Sequence, residues 1–280
     1  MKLGYSTWGM PATPIDQAIA YLAGLGYTGI EITVRPGWVT ALSTLDKAER
    51  QRIAGLLKQY NLALPAIGAH TDLLYDEPER HAQVVSDLVA AMDLAVEWGA
   101  VSGAPPVVLT TPGGKPEEYE AKKQLLAERL GQLAAEAQAR GVVIALEAHI
   151  GAVLDIPVHT VEVLHMVNSP HLRLNFDISH FNVMGIPMEE SVRLMVPYSV
   201  HTHIKDETGS YPNHQFLIPG EGVFDYVGYL RTMQQAGYTG FIVPEISIMR
   251  QRQPGYDPLA AALQSYSVVS QAFRDADLPL

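Results

Sequence analysis

Short apolar or β-branched runs alternate along the whole chain with longer segments of helical spacing or helix-forming composition, in the order strand, helix, strand, helix. Eight runs read as strands: "KLGYS" (2–6), "GIEITV" (29–34), "LALPAIG" (62–68), "PVVLT" (106–110), "VVIALE" (142–147), "RLNFD" (173–177), "SVHTHI" (199–204) and "GFIVPEI" (240–246). The clearest helical segment, "KPEEYEAKKQLLAERLGQLAAEAQARG" (115–141), carries acids early, Lys and Arg later, apolar positions three and four apart, and Gly141 as its stop. "LGYTGIEI" (25–32) and "AGYTGFIVPEI" (236–246) echo one another, each reading as a helix end, a Gly cap, a tight turn and a buried strand. Eight strands with helical crossovers in about 250 residues predict a closed (β/α)8 barrel, the TIM-barrel form of α/β protein, in preference to an open sheet. No linker or low-complexity tract interrupts the series, so residues 1–280 are expected to form a single domain.

The polar residues within this pattern fall at one place. Loops at the carboxyl ends of barrel strands are where function usually sits, and the longest, Gly- and Pro-rich connections follow strands four ("TPGGKPEEY") and seven ("DETGSYPNHQFLIPGEGVFDY"). In "VHTHIKDE" (200–207), alternation puts His201, His203 and Lys205 on one face. Glu147 closes strand five, with His149 two residues on. Asp177 closes strand six, with His180 following. His203 lies near the end of strand seven and Glu245 near the end of strand eight. Three carboxylates and an imidazole would thus converge across the mouth of the barrel. Unpaired carboxylates would repel one another strongly between apolar walls, and a divalent cation removes that penalty. Oxygen-rich ligation with one imidazole suits Mn2+ or Mg2+, and Co2+ or Zn2+ also fits.

Other residues near this rim have plainer readings beside the functional one. His201, deeper in its strand, reads as a hydrogen-bonded core histidine as readily as a ligand, and Glu31 as the partner of a neighbouring base; neither joins the ligand set. His70, after strand three, suits substrate contact or structural hydrogen bonding. Trp8 and Trp38 can pack in the core or form the aromatic wall of a sugar pocket. Lys205 is expected further out, toward substrate.

Composition narrows the classes. A formal net charge of -11 supplies no basic surface for nucleic acid or an anionic bilayer. With no cysteine, a metal must use His, Asp or Glu. The opening "MKLGYSTWGM" has no apolar signal core, and no run approaches the roughly 20 apolar residues of a membrane span. A soluble, cytoplasmic protein is the expectation.

"ALEAH", "NFDISHF", "HTHIKD", "PGEGVFDY" and "GYTGFIVPEIS", in this order and at these spacings, resemble the xylose isomerase-like TIM-barrel superfamily, the sugar phosphate isomerase/epimerase group. The resemblance spans nearly the whole chain. It implies one divalent metal held by Glu147, Asp177, His203 and Glu245, with His180 as a substrate contact. The chain departs from the D-tagatose/D-allulose 3-epimerase branch at Val153 and Gly209, where that branch has a Glu and an Arg that contact the ketose. The resemblance thus leaves inositol-derivative isomerases or dehydratases and other keto-sugar enzymes open.

The expected chemistry is a metal-dependent isomerase or epimerase. The metal polarises a carbonyl and stabilises an enediolate, while Glu147 and Glu245 pass a proton between them. His180, Lys205, His70, His149 and Trp8 are expected to contact a small carbohydrate. A dehydratase or lyase on the same site is the nearest alternative. An apurinic-site endonuclease would need more metals and a cationic rim, and a sugar-binding barrel without turnover is the non-enzyme alternative. Barrels of this group often form homo-oligomers.

Overall fold

The structure is a computed structural model that describes the backbone of residues 1–280 and every side chain except those of Val101 and Ser102. Its order is β1 (Lys2–Ser6), α1 (Ile15–Leu25), β2 (Gly29–Thr33), α2 (Lys47–Gln59), β3 (Ala66–Asp72), α3 (Pro78–Ser102), β4 (Val107–Thr111), α4 (Tyr119–Arg140) and β5 (Ile144–Glu147). There follow α5 (Pro157–Val167), β6 (Leu172–Asp177), α6 (Ser179–Asn182), α7 (Met188–Met195), β7 (Ser199–Ile204), β8 (Asp206–Thr208), β9 (Gln215–Leu217), α8 (Tyr226–Gln235), β10 (Phe241–Pro244), α9 (Ile248–Gln251) and α10 (Pro258–Asp275). Eight strands close a parallel barrel in the order β1, β10, β7, β6, β5, β4, β3, β2. The predicted (β/α)8 barrel is therefore what forms.

Period-two alternation on each strand separates two cores. Outward residues such as Ile30, Ile32, Ile67, Val108, Leu146, Leu174 and Phe176 pack with the helices in one large apolar cluster. Inward residues Ala66, Leu109 and Ala145, with Val107 against them, form a second, small cluster inside the barrel. The same inward faces, followed toward the carboxyl ends of β3 and β5, reach His70 and Glu147. The interior thus changes from apolar to ionisable along its length. As expected, Gly141 ends α4 in the left-handed conformation, at φ 67°.

Two expectations need correction. Strand three begins at Ala66 rather than Leu62 and runs on to Asp72. Pro65 has no N–H to give to a ladder, so regular pairing starts after it, and only an isolated bridge at Ala63 precedes it. The connection after β7, read as loop, contains the antiparallel hairpin β8–β9, with Asp206 opposite Leu217. Asp206 fastens this hairpin: its carboxylate accepts from the backbone N–H of Glu207 (3.0 Å), Gly220 (2.7 Å) and Phe224 (3.0 Å). Among the described residues, no helix is long and apolar enough to cross a membrane.

Glu207, in strand β8 of the hairpin, is buried. Oε1 accepts a 3.2 Å hydrogen bond from Asn182 Nδ2, while Oε2 has no hydrogen-bond partner. Burial pushes this carboxyl up to about 8, with the charges of Asp206 and Asp177 adding to the effect against the Asn182 bond. The fold therefore favours the protonated acid. Near pH 4.5 and below, both folded and unfolded chains hold the proton; as pH rises toward 8 the unfolded chain loses it first, so stability from this group falls across that window. Glu207→Gln should remove the fall. Urea denaturation should show the variant equal to wild type near pH 4.5 and more stable, on the order of a few kcal/mol, above pH 8.

Candidate active site

Strand register brings the four sequence-selected donors together. Glu147 is the last residue of β5 and pairs with Asn175; Asp177 ends β6 opposite His203 of β7; Glu245 follows β10 directly. Each offers one atom to a group whose members all lie within 4.8 Å of one another, and all four side chains are buried. His203 Nδ1 stands 3.5 Å from Glu147 Oε2 and 3.5 Å from Glu245 Oε1. Burial alone would lower the basicity of His203, but Glu31, Glu245 and Glu147 reverse this and raise it well above its ordinary value. Burial likewise acts to raise Glu147. The charge of His203 and contacts from His180, His203 and His70 outweigh it and hold the carboxyl well below the usual range.

Lys205 departs from expectation. It is buried, not reaching outward, and Nζ contacts Asp177 Oδ2 and lies 2.8 Å from Glu245 Oε2. The carboxylates raise its basicity against the opposing effect of burial. A long side chain in the gap between β7 and β8 is free to fold toward the largest nearby negative charge, and it does so here.

Above these donors lies a cavity of about 560 Å3 lined by Glu147, Glu245, Lys205 and all four of the other selected contacts, Trp8, His70, His149 and His180. Asp177 and His203 are not among its lining residues; they sit fully buried. His180, on α6, has no hydrogen-bond partner at either ring nitrogen. Its Nε2 is 3.5 Å from Glu147 Oε1 and 3.4 Å from Asp177 Oδ2. The His149 ring lies against it, tilted by 43° with centroids 3.9 Å apart, and bonds Ile150 O through Nδ1 at 2.8 Å. Burial, with the neighbouring His180, lowers His149 to about 3, so its ring is neutral. Trp8 stacks on Trp38 at 4.5 Å and forms one wall.

His70 adopts φ 38° where the pairing of β3 with β4 shifts register. This turns its ring toward Glu147 (3.5 Å), Glu245 (3.7 Å) and Glu31 (3.8 Å). Gly68 makes the room: a Cβ there would stand 3.0 Å from Glu31 Oε1 and 3.1 Å from the His70 ring.

Glu31, left out of the sequence-based ligand set, belongs to this network. It joins His70, His203 and Glu245 in a second four-residue group of potential metal donors. A charge within the wholly buried run of β2 was the available signal. His201 is the hydrogen-bonded core histidine of its plainer reading, bound to Glu31 at 2.9 Å. Asn175 was also missed; it donates to Glu147 Oε2 at 2.9 Å. From the hairpin and its turn, Tyr211, His214 and Phe216 add an aromatic wall, and Arg35 and Asp72 line the rim. Neither Val153 nor Gly209 lines the cavity.

The donor set suits a hard or borderline divalent cation: three carboxylates and one imidazole converge, with more negative charge than Lys205 alone offsets. Residues 19–266 match the family described as xylose isomerase-like TIM barrel. The chain belongs to this family. Among the relatives of this xylose isomerase-like barrel is fructoselysine 3-epimerase of Escherichia coli O157:H7, 26% identical over 274 residues and covering 91% of this chain and 93% of the relative. Inosose dehydratase of Lacticaseibacillus casei is 22% identical over 182 residues, 59% of this chain and 57% of the relative. A similar solved structure is the IOLI protein with a bound zinc atom: TM-score 0.83, 18% identity and 99% coverage of both chains. That structure is a likeness of fold.

Lys205→Met should leave Asp177 and Glu245 facing one another without their cation. Equilibrium unfolding in the presence of a chelator is expected to show a loss of about 3–5 kcal/mol, the usual consequence of removing one partner from a buried pair.

Proposed function

We propose that this xylose isomerase-like barrel is a divalent-metal-dependent isomerase or epimerase that moves a proton beside the carbonyl of a keto-sugar or inosose-type substrate. The observation that carries the reading is the pair Glu147 and Glu245, from separated strands, which line one cavity and share a buried donor group with Asp177 and His203. Relatives named as a sugar epimerase and an inosose dehydratase support it. Glu147, Asp177, His203 and Glu245 would hold the cation, with Mn2+ or Mg2+ favoured and Co2+ or Zn2+ compatible. When bound, it polarises the carbonyl and offsets charge on an enediolate.

The chain's own groups do the rest. Glu147 is held in the carboxylate form that takes up the proton, and Glu245 or a water returns one. Return to the opposite face of the same carbon gives epimerisation, and return to the neighbouring, former carbonyl carbon gives isomerisation. The free ring nitrogens of His180 hydrogen-bond substrate hydroxyls, and His149, its Nδ1 engaged by Ile150 O, keeps Nε2 as an acceptor. Trp8, backed by Trp38, supplies the flat apolar wall that a sugar ring face packs against. Lys205 offsets developing negative charge. The substrate is a small carbohydrate rather than nucleic acid, consistent with the net charge of -11.

The dehydratase relative favours a second reading on the same residues: after the α-proton leaves, a β-hydroxyl departs as water. A panel of keto-sugars and inososes incubated in D2O with the metal-loaded protein separates these. Deuterium at the α-carbon with otherwise unchanged mass is the isomerase or epimerase outcome, and loss of water is the lyase outcome. Glu147→Gln and Glu245→Gln should each lower turnover by about 100- to 10,000-fold. Full turnover by Glu245→Gln would contradict the assignment.

A further inference from the structure

Glu31 and the donor quartet share His203, and the hydrogen bonding decides what Glu31 does there. Oε1 of Glu31 accepts from Ser6 Oγ at 2.6 Å; Oε2 accepts from His201 Nε2 at 2.9 Å and from His203 Nε2 at 2.7 Å. The residue is wholly buried and does not line the cavity. Three donors therefore occupy a carboxylate that has about four acceptor positions, which leaves it poorly placed to ligate a cation.

The partner ring is fixed in turn. With its Nε2–H given to Glu31, His203 turns Nδ1 toward Glu147 and Glu245. Asn175 Nδ2 lies 3.0 Å from that Nδ1 while also donating to Glu147 Oε2, so in the neutral ring that a cation would bind, the amide presents N–H and Nδ1 presents the lone pair. We infer that Glu31 is a positioning residue for the metal centre, anchored by Ser6 and His201, that holds the proton of His203 on Nε2 and reserves Nδ1 for the cation. Of the two overlapping donor groups, this selects Glu147, Asp177, His203 and Glu245 and assigns Glu31 to the layer behind them. The inference rests on the metal-dependent reading above. Carboxylates behind metal-bound histidines orient the ring and strengthen it as a donor, and their loss typically weakens metal binding 10- to 100-fold.

The test is Mn2+ titration of the chelator-stripped full chain, with free Mn2+ read by electron paramagnetic resonance. Wild type should bind one ion. Glu31→Gln, folded by circular dichroism, should bind about 10- to 100-fold more weakly, and Glu31→Asp should recover part of the loss. Wild-type affinity in folded Glu31→Gln overturns the positioning role and leaves the proposed function standing. Wild type that binds no divalent cation overturns both. A second measurement needs no variant: in the Zn2+-loaded, 15N-histidine-labelled wild-type protein, His203 should keep its proton on Nε2 and ligate through Nδ1. Ligation through Nε2 overturns the inference.

Discussion

Negative charge gathered in a buried, low-dielectric barrel mouth must be neutralised, and the arrangement of the site follows from that constraint. Glu31, Glu147, Asp177 and Glu245 are all buried, and at such separations bare carboxylates repel one another far more strongly than in water. Three cationic or potentially cationic groups are drawn inward to them. Lys205 folds onto Asp177 and Glu245, His203 sits among three glutamates, and His70 is turned toward three as well. A divalent ion would meet the same demand with greater charge density.

The barrel makes this crowding possible. Its inward faces are filled near the amino ends by a small apolar cluster, so polar side chains are confined to the carboxyl ends. Strand ends hold Glu147, Asp177 and His203 on a closed hydrogen-bonded frame, while Trp8, His149, His180 and the hairpin aromatics come from the irregular or short segments beyond. Charge is therefore carried by the rigid part of the fold. The other groups lining the cavity sit on the kind of segment that varies most easily between related proteins.

How much of this was legible in the sequence depended on whether local alternation decided the matter. β1 and β7 match their expected bounds, and other strands shift by only a few residues, because β-branched runs bounded by turn residues report a buried strand directly. The convergence of Glu147, Asp177, His203 and Glu245 was legible because a polar residue closing a barrel strand has few other places to point. What resisted reading was set by contacts between distant segments. Nothing local distinguishes the Glu31 carboxylate, which meets its histidines across 170 and 172 residues, from a simple pair. Lys205 has a flexible side chain whose direction alternation does not fix. The short strands of β8 and β9 lie in a Gly- and Pro-rich segment that reads as loop, and the start of β3 turned on the missing N–H of Pro65.

The most direct measurement is anomalous diffraction from crystals of the protein grown with Mn2+ and recorded at the manganese edge. The expected result is one strong peak bonded to Glu147, Asp177, His203 Nδ1 and Glu245, with Glu31 still hydrogen-bonded to His203 Nε2. A peak ligated instead by Glu31 and His70, or no peak in the barrel mouth at saturating Mn2+, would contradict it.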